Sequence, residues 1–184
     1  HIGGDGSSLG PLARDFMAAY SARAAGHAPS WQPLRVQYAD YVQWQAERLA
    51  MRDDDGVPER DRQMAYWKHR LAGAPERLDL PSDRPRPAVP TFGGARAGFE
   101  IPARLANALE GIARARNTTL FMVTHAALAI LLTRLSGRND VVIGTPYAGR
   151  SMPALDDIVG MFVNTLALRT EIDPAEPFSG LIER

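Results

Sequence analysis

The segment from Leu120 to Leu132 constrains the fold more than any other part of the sequence. It is apolar almost all round and is interrupted only by a threonine and a histidine. Thr118 or Thr119 can cap a helix at its start, and Gly137 can end that helix. A helix that is apolar on every side needs packing partners on every side, and this one is too short to cross a bilayer. We therefore expect a deeply buried helix inside a layered domain.

The first half of the chain is predicted to be helical. One amphipathic pattern begins after Ser7 or Ser8, a second covers residues 37–51, and a shorter one includes Trp67. Residues 73–94 then contain five prolines and no hydrophobic periodicity, which indicates an extended connection.

The second half alternates between strand and helix patterns. Residues 95–101 and 141–143 have the composition of short strands, and residues 162–172 have that of a longer one. Pro102 opens a helix between the first two. Together with the apolar helix, this order indicates an α/β fold built in layers.

Composition excludes several classes of function. Apolar residues make up 45% of the chain and charged residues 23%, as in ordinary globular proteins. Basic and acidic residues balance at 21 each, so no net charge favours nucleic acid or an anionic membrane. The absence of cysteine excludes disulfides and thiol nucleophiles, and it is consistent with the cytoplasmic location that we expect. No two histidines have the spacing of a zinc site.

His1 and Asp5 form the residue pair with the sharpest chemistry. Both lie in the glycine-rich opening His1–Gly6, which leads into the first helix. An imidazole with a pKa of about 6.5 can accept a proton near neutral pH, and Asp5 can fix the loop through a buried ion pair. The alternative is a turn and helix cap at Asp5 beside a terminal histidine. Because H-x-x-x-D-G is short and common, the residues alone favour that alternative.

The remaining polar candidates have simpler explanations. His27 and His69 lie in polar surroundings and should be exposed, while His125 lies in the apolar helix and should be a hydrogen-bonded core residue. Asn164 lies in the apolar strand pattern, where a buried amide must find partners. Its amide is either structural or a hydrogen-bond donor to a reacting carbonyl.

Four motifs occur in an order that resembles the condensation domains of nonribosomal peptide synthetases. That family has H-H-x-x-x-D-G, Y-x-D-[YF]-x-x-W-Q, I-G-x-P-x-A-G-R and G-x-F-V-N-T-L-x-L-R. The matching segments here are His1–Gly6, Tyr38–Gln45, Ile143–Arg150 and Gly160–Arg169, and Leu78–Pro87 is similar to the family's interlobe connection. The resemblance covers essentially the whole chain, and four ordered matches are very improbable by chance.

The resemblance implies a chloramphenicol-acetyltransferase-like α/β fold with two lobes around a tunnel. Residues 1–72 would end the N-terminal lobe, residues 73–94 would connect the lobes, and residues 95–184 would form most of the C-terminal lobe. The chain opens on His1 and ends in a helix that has only begun, so we expect both ends to be cuts in a larger protein.

Several parts of the family pattern are absent from the chain. These are the first histidine of the pair, the N-terminal lobe with the arginine expected to pair with Asp5, and the final part of the C-terminal lobe. Ser7 also stands where tryptophan is frequent. We expect the isolated chain to expose apolar interlobe surface, to aggregate and to be inactive.

The implied reaction is amide formation between two carrier-bound groups. The donor acyl group is a thioester on the phosphopantetheine arm of an upstream carrier domain, and the acceptor amine is held by the downstream carrier domain. We expect these carriers and an adjacent adenylation domain as partners. No directly bound cofactor, metal, nucleic acid or membrane is expected.

The resemblance also assigns roles to residues. His1 would accept a proton from the attacking amine or position that amine, and Asp5 would support the loop without touching substrate. The Gly6 N–H and Asn164 would face the thioester carbonyl, while Arg150 would be structural or carrier-facing rather than catalytic. The candidates for the tunnel wall are Tyr147, Arg150 and Asn164.

Three alternatives stay open. A same-fold acyltransferase would use His1 to deprotonate a lipid or sugar hydroxyl, which demands a true base. An epimerisation relative has the same histidine, whereas a cyclisation relative has aspartate there. The third alternative is a degenerate domain that only docks partners.

Overall fold

The computed structural model of the chain describes residues 2–85 and 87–184. The chain divides into two compact units. The first unit contains the residues up to Ala72 together with Gly144–Ala167, and the second contains Gly73–Ile143 with Leu168–Arg184. The described helices and strands are, in chain order, α1 (Leu9–Ala24), α2 (Tyr38–Ala50), α3 (Glu59–Arg70), α4 (Ala103–Ala115), α5 (Leu120–Ser136), β1 (Asp140–Tyr147), β2 (Asn164–Glu171) and α6 (Phe178–Glu183).

α1 begins after a short 3-10 turn at Gly6–Ser8. The Asp5 side chain caps this turn by accepting the Ser8 N–H, whereas Ser8 makes no side-chain cap on α1. The predicted start of the helix after Ser7 or Ser8 is therefore confirmed, but the side chain of Ser8 does not cap it. The carboxylate of Asp5 satisfies the free N–H one turn earlier, as an aspartate cap does.

α2 carries the buried core of the first unit. Its extent, Tyr38–Ala50, confirms the helix predicted at residues 37–51. Two aromatic side chains of α2, Tyr38 and Tyr41, pack against Phe162 in the segment that precedes β2, so the second and fourth motifs share one apolar core. The buried members of this cluster are Tyr41, Leu155, Ile158 and Phe162.

α5 is the centre of the second unit, and its ends confirm the predicted caps. Thr119 Oγ1 accepts the Met122 N–H at 3.2 Å. Gly137 ends the helix with φ of 70°, a conformation that glycine adopts without steric cost. α4 begins after Pro102, as predicted. The buried members of the cluster that α4, α5 and α6 form are Ala113, Val123, Ala126 and Ile182.

Apolar helix faces are exposed in both units. The prediction that α5 is deeply buried is wrong for this chain, because the helix packs against α4 and α6 and buries only Val123, Ala126 and Ala129. Its other sides carry side chains that are 40–51% exposed, namely Leu120, Phe121, Leu128, Leu131 and Leu135. The predicted apolar face of α1 is 52–65% exposed at Leu9, Leu12, Phe16, Met17 and Tyr20.

β1 and β2 form the described sheet. The Ile172 N–H donates to the Asn139 carbonyl at 2.7 Å, and further along Thr165 lies beside Gly144. The residue numbers rise on one strand as they fall on the other, so the pairing is antiparallel. The boundary between the two units passes through both strands.

The strand predictions are only partly confirmed. The pattern at residues 162–172 corresponds to β2, and the strand predicted at 141–143 extends in both directions to form β1. Residues 95–101 have no regular secondary structure. A strand needs a neighbour to take its backbone hydrogen bonds, and in the described part of the chain the one sheet consists of β1 and β2.

None of the described helices is both long and apolar enough to cross a bilayer by itself. α4 and α5 pass such a test only when taken together, and the chain bends by 106° between them.

Candidate active site

The carboxylate of Asp5 is buried and uses both of its oxygens. Its side chain is 1% exposed. Oδ1 accepts the Ser8 N–H at 3.0 Å and a guanidinium N–H of Arg150 at 3.2 Å. Oδ2 accepts the backbone N–H groups of Phe162 at 2.9 Å and Val163 at 3.2 Å. The turn that begins at Asp5 is thereby bonded to the segment just before β2.

These bonds set the protonation state of Asp5. Burial by itself would raise the pKa of this carboxyl group, because a low-dielectric site disfavours the charged form. The hydrogen bonds from the Phe162 N–H, the Ser8 hydroxyl and Arg150 outweigh burial, and they hold the pKa well below the usual range. Asp5 is therefore an ionised structural group, with no proton to exchange near neutral pH.

Arg150 supplies the charge that balances Asp5. Its side chain is 7% exposed, and its NH1 donates to the carbonyls of Leu155 and, at 2.9 Å, Ile158. The guanidinium also lies 4.1 Å from the ring centroid of Phe162, a cation–π geometry. The expectation that the arginine partner of Asp5 lies outside the chain is wrong. The two residues are 145 positions apart, so only the folded chain shows the pairing.

Gly149 makes the approach of Arg150 possible. Its φ is +71°, and a Cβ at this position would lie 2.2 Å from the Phe162 carbonyl oxygen. Both facts exclude an ordinary side chain. In the third motif, Gly149 is therefore required for steric reasons and Arg150 for electrostatic ones.

A hollow of about 320 Å³ opens beside this network, within the first unit. Tyr41, Trp44 and Phe162 line its aromatic wall, and two predicted tunnel residues, Tyr147 and Asn164, line it as well. The expectation that Asn164 is buried is wrong. It lies at the exposed start of β2, where its Oδ1 accepts the Thr165 N–H at 2.8 Å.

The predicted catalytic residue His1 lies outside the described residues. Gly6 is exposed and begins the 3-10 turn at Gly6–Ser8. The roles expected for His1 and for the Gly6 N–H stay predictions. Asp5 connects the described loop Ile2–Gly4 to the buried network. Of the described residues in the first motif, it alone has a charged side chain.

The other histidines agree with their predicted surroundings. His27 and His69 are exposed. His125 is half-buried, its Nε2 lies 3.1 Å from Thr170 Oγ1, and its ring stacks on Phe121. Burial lowers the pKa of its imidazole. These two contacts make His125 a hydrogen-bonded packing residue. Among the described residues, no group of three or more His, Cys, Asp or Glu side chains forms a metal site.

Sequence reasoning missed two residues of the network. Ser8 is 2% exposed and contacts both Asp5 and Gly160. The Tyr38 hydroxyl donates to the Met161 carbonyl at 2.7 Å. The first tyrosine of the second motif and the second serine after Asp-Gly were the available signals, but neither has a local pattern that indicates a distant partner.

Comparison with known proteins places this chain in one family. A buried aspartate after a glycine-rich loop, paired with an arginine after a strand, lies in an α/β fold of the chloramphenicol-acetyltransferase type. The family model for the condensation domain matches residues 1–184. The chain belongs to the condensation domain family.

Its relatives are large synthetases. The chain is 50% identical over 182 residues to an isonitrile lipopeptide synthase of Mycobacterium tuberculosis, covering 99% of this chain and 7% of that protein. It is 47% identical over 184 residues to a dimodular nonribosomal peptide synthase of Bacillus subtilis, covering 100% of this chain and 8% of that protein. Thus the chain spans less than a tenth of the length of these relatives.

A solved structure has the same fold. The X-domain from teicoplanin biosynthesis superposes with a TM-score of 0.87 at 32% identity, over 99% of this chain and 40% of that one. The chain therefore has the architecture of part of a condensation-type domain.

Proposed function

We propose that this domain forms an amide bond between two carrier-bound substrates. The donor is an acyl or peptidyl thioester on one phosphopantetheine arm, and the acceptor is the amine of an aminoacyl thioester on another. Family membership supports this reaction class. The observation that carries the proposal is the ionised Asp5 of the first motif. Both of its carboxylate oxygens accept hydrogen bonds from distant parts of the chain, and these bonds fix the turn that follows Asp5.

The reaction balances without an external reagent. The amine nitrogen attacks the thioester carbonyl, the C–N bond forms, and the C–S bond breaks. The nitrogen loses one proton and the departing thiolate gains one. An α-amine has a pKa of about 7.7–8.0, so a large fraction is neutral near neutral pH and the demand on a base is modest. Holding the two tethered groups together supplies much of the rate.

The residues divide into groups that touch substrate and groups that position them. His1 accepts the amine proton or hydrogen-bonds the amine. The Gly6 N–H and the amide of Asn164 face the thioester carbonyl, where the negative charge develops. Asp5 and Arg150 are positioning residues, because both carboxylate oxygens of Asp5 and both terminal guanidinium nitrogens of Arg150 bond to other groups of the protein.

The partners follow from the reaction. An upstream and a downstream carrier domain deliver the substrates, and an adjacent adenylation domain loads the acceptor. Their phosphopantetheine arms provide the thiols, and the domain itself binds no cofactor directly. We place the reaction in the cytoplasm, where carriers can be loaded.

The direct test replaces His1 by alanine in the full-length protein and supplies both loaded carriers. A positioned proton acceptor contributes about 10²–10⁴-fold, so amide product should fall by at least that lower amount. His69→Ala is the matched control, because His69 is an exposed histidine on α3 and should leave turnover unchanged. Turnover of His1→Ala within a few-fold of wild type would refute the role of His1.

Product analysis separates the alternatives. Mass spectrometry of the carriers should show acyl transfer to the downstream amine. An inverted α-carbon on one carrier without an amide product would instead favour epimerisation. Transfer to an added hydroxyl compound, with none to the amine, would favour an ester-forming acyltransferase.

A further inference from the structure

The side chain of Ser8 joins two segments that are 152 residues apart. It is 2% exposed. The Gly160 N–H donates to its Oγ at 3.1 Å, and its hydroxyl lies 2.9 Å from the Gly160 carbonyl oxygen. Both backbone polar groups of Gly160 therefore meet the same oxygen atom. The proposed reaction gives Ser8 no role of its own.

The hydroxyl of Ser8 has more partners than it can satisfy at once. It has one proton and two lone pairs. The proton can go to Asp5 Oδ1 or to the Gly160 carbonyl, each at 2.9 Å. Besides the Gly160 N–H, two further N–H groups point at the oxygen, one from Arg150 at 3.0 Å and one from the Asp5 backbone at 3.3 Å. Removing this oxygen would leave buried backbone groups of Gly160 without their partner, which proteins tolerate poorly.

Gly160 is also enclosed from another direction. A Cβ at this position would lie 2.2 Å from Cδ2 of Tyr38, and the Tyr38 hydroxyl donates to the next carbonyl, that of Met161, at 2.7 Å. The backbone at Gly160 and Met161 is therefore held by the ring of Tyr38 and by the hydroxyl of Ser8.

The same backbone continues directly to a proposed substrate-facing residue. The N–H groups of Phe162 and Val163 bond to Asp5 Oδ2, and Asn164 follows as the first residue of β2. Ser8 and Asp5, which lie on one turn, thus bond to consecutive parts of the segment that ends at Asn164.

We propose that Ser8 is a positioning residue of the condensation reaction. Through Gly160 it fixes the start of β2, and with it Asn164, relative to the turn that follows His1. This inference rests on the proposed function. Misplacement of a reacting group by about 1 Å can lower a rate by about 10²-fold. The loss should fall on kcat, because Ser8 is buried and does not touch the carriers.

The test compares Ser8→Ala with Ser7→Ala in the full-length protein. Ser7 is the exposed neighbour on the same turn, so it controls for loss of a serine hydroxyl there. With both carriers loaded, Ser8→Ala should lower kcat by about 10²-fold with KM for the loaded carriers within about twofold of wild type. Ser7→Ala should match wild type in both constants. Equal kcat values for the two variants would overturn the inference.

A second pair of variants keeps the test informative if Ser8→Ala disturbs folding. Ser8→Thr and Ser8→Val have nearly the same shape, but only threonine has a hydroxyl. We expect Ser8→Thr to recover at least tenfold of the kcat that Ser8→Val loses. Equal activity of the pair would overturn the role of the hydroxyl. A wild-type protein that forms no amide would overturn the proposed function and this inference with it, whereas an active wild type insensitive to Ser8 would overturn this inference alone.

Discussion

The buried centres of the two units differ in their use of charge. In the first unit, a buried aspartate and a buried arginine lie among apolar side chains, with Asp5 and Arg150 1% and 7% exposed. In the second unit, the buried cluster is apolar, and ion pairs lie outside it, including Arg169 with Asp140, 13% and 28% exposed, and Arg116 with Glu183, 44% and 51% exposed. The first centre combines apolar packing with directional bonds between charged groups, whereas the second is packed from apolar side chains.

The buried ion pair requires a unique geometry, whereas apolar packing does not. Apolar packing tolerates small shifts, whereas a buried charge is stable only when its partners are in place. A buried ion pair is weak evidence for extra stability, but it is costly to break. Its position next to the turn that follows His1 suggests that this unit uses the pair for orientation.

Breaking the buried pair of Asp5 and Arg150 should cause the largest loss of stability. Replacing Arg150 by methionine leaves the charge of Asp5 buried without its cationic partner, which costs about 3–5 kcal/mol. Hydrogen exchange measures this loss at the amides of Phe162 and Val163, which bond to Asp5. Their protection should fall sharply.

The matched change in the second unit is Arg116→Met. Its pair with Glu183 is solvent-exposed, and exposed pairs contribute about 0–1 kcal/mol. Protection of the amides in α6 should hardly change. Equal losses for Arg150→Met and Arg116→Met would remove the contrast between the two units.

Acid should lower the stability of the first unit through Asp5, and this effect should be smaller than that of Arg150→Met. The folded-state pKa of Asp5 lies below its unfolded value of about 3.9. The unfolded state therefore binds more protons, so the contribution of Asp5 is complete above about pH 5 and is lost as pH falls through and below about pH 4. Pulse proteolysis in urea between about pH 3 and about pH 6 measures this slope.

The Asp5→Asn variant provides the comparison for the pH series. It has no carboxyl group at this position, so its stability should change less over the same pH range. A wild-type curve parallel to that of Asp5→Asn would show that Asp5 does not titrate differently in the folded state.

Local chemistry predicted much of the fold. Thr119 and Gly137 end α5 because a threonine side chain can accept a nearby N–H and glycine can adopt positive φ. The helices over Tyr38–Ala50 and Ala103–Ala115 follow from short-range patterns in the same way. Asp5 capping its own turn was the simpler alternative, and it is confirmed.

Long-range contacts set what local chemistry could not predict. The pairing of Asp5 with Arg150 joins residues 145 positions apart, and no short pattern specifies it. The apolar surface of α5 indicated complete burial, but burial depends on which elements lie beside a helix. Asn164 has an apolar sequence context, yet it starts β2 at an exposed position. The strand pattern at residues 95–101 likewise has no partner among the described residues.

A double-mutant cycle on amide formation by the full-length protein tests most directly whether Asp5 and Arg150 act together to position the site. Asp5→Asn and Arg150→Met each remove one half of the pair that fixes the turn after His1. If the pair acts as one positioning unit, each single variant lowers kcat by about 10²-fold. The kcat of the double variant should then be no lower than that of the less active single variant. Losses that multiply to about 10⁴-fold would contradict the account, because they would mean that Asp5 and Arg150 act independently.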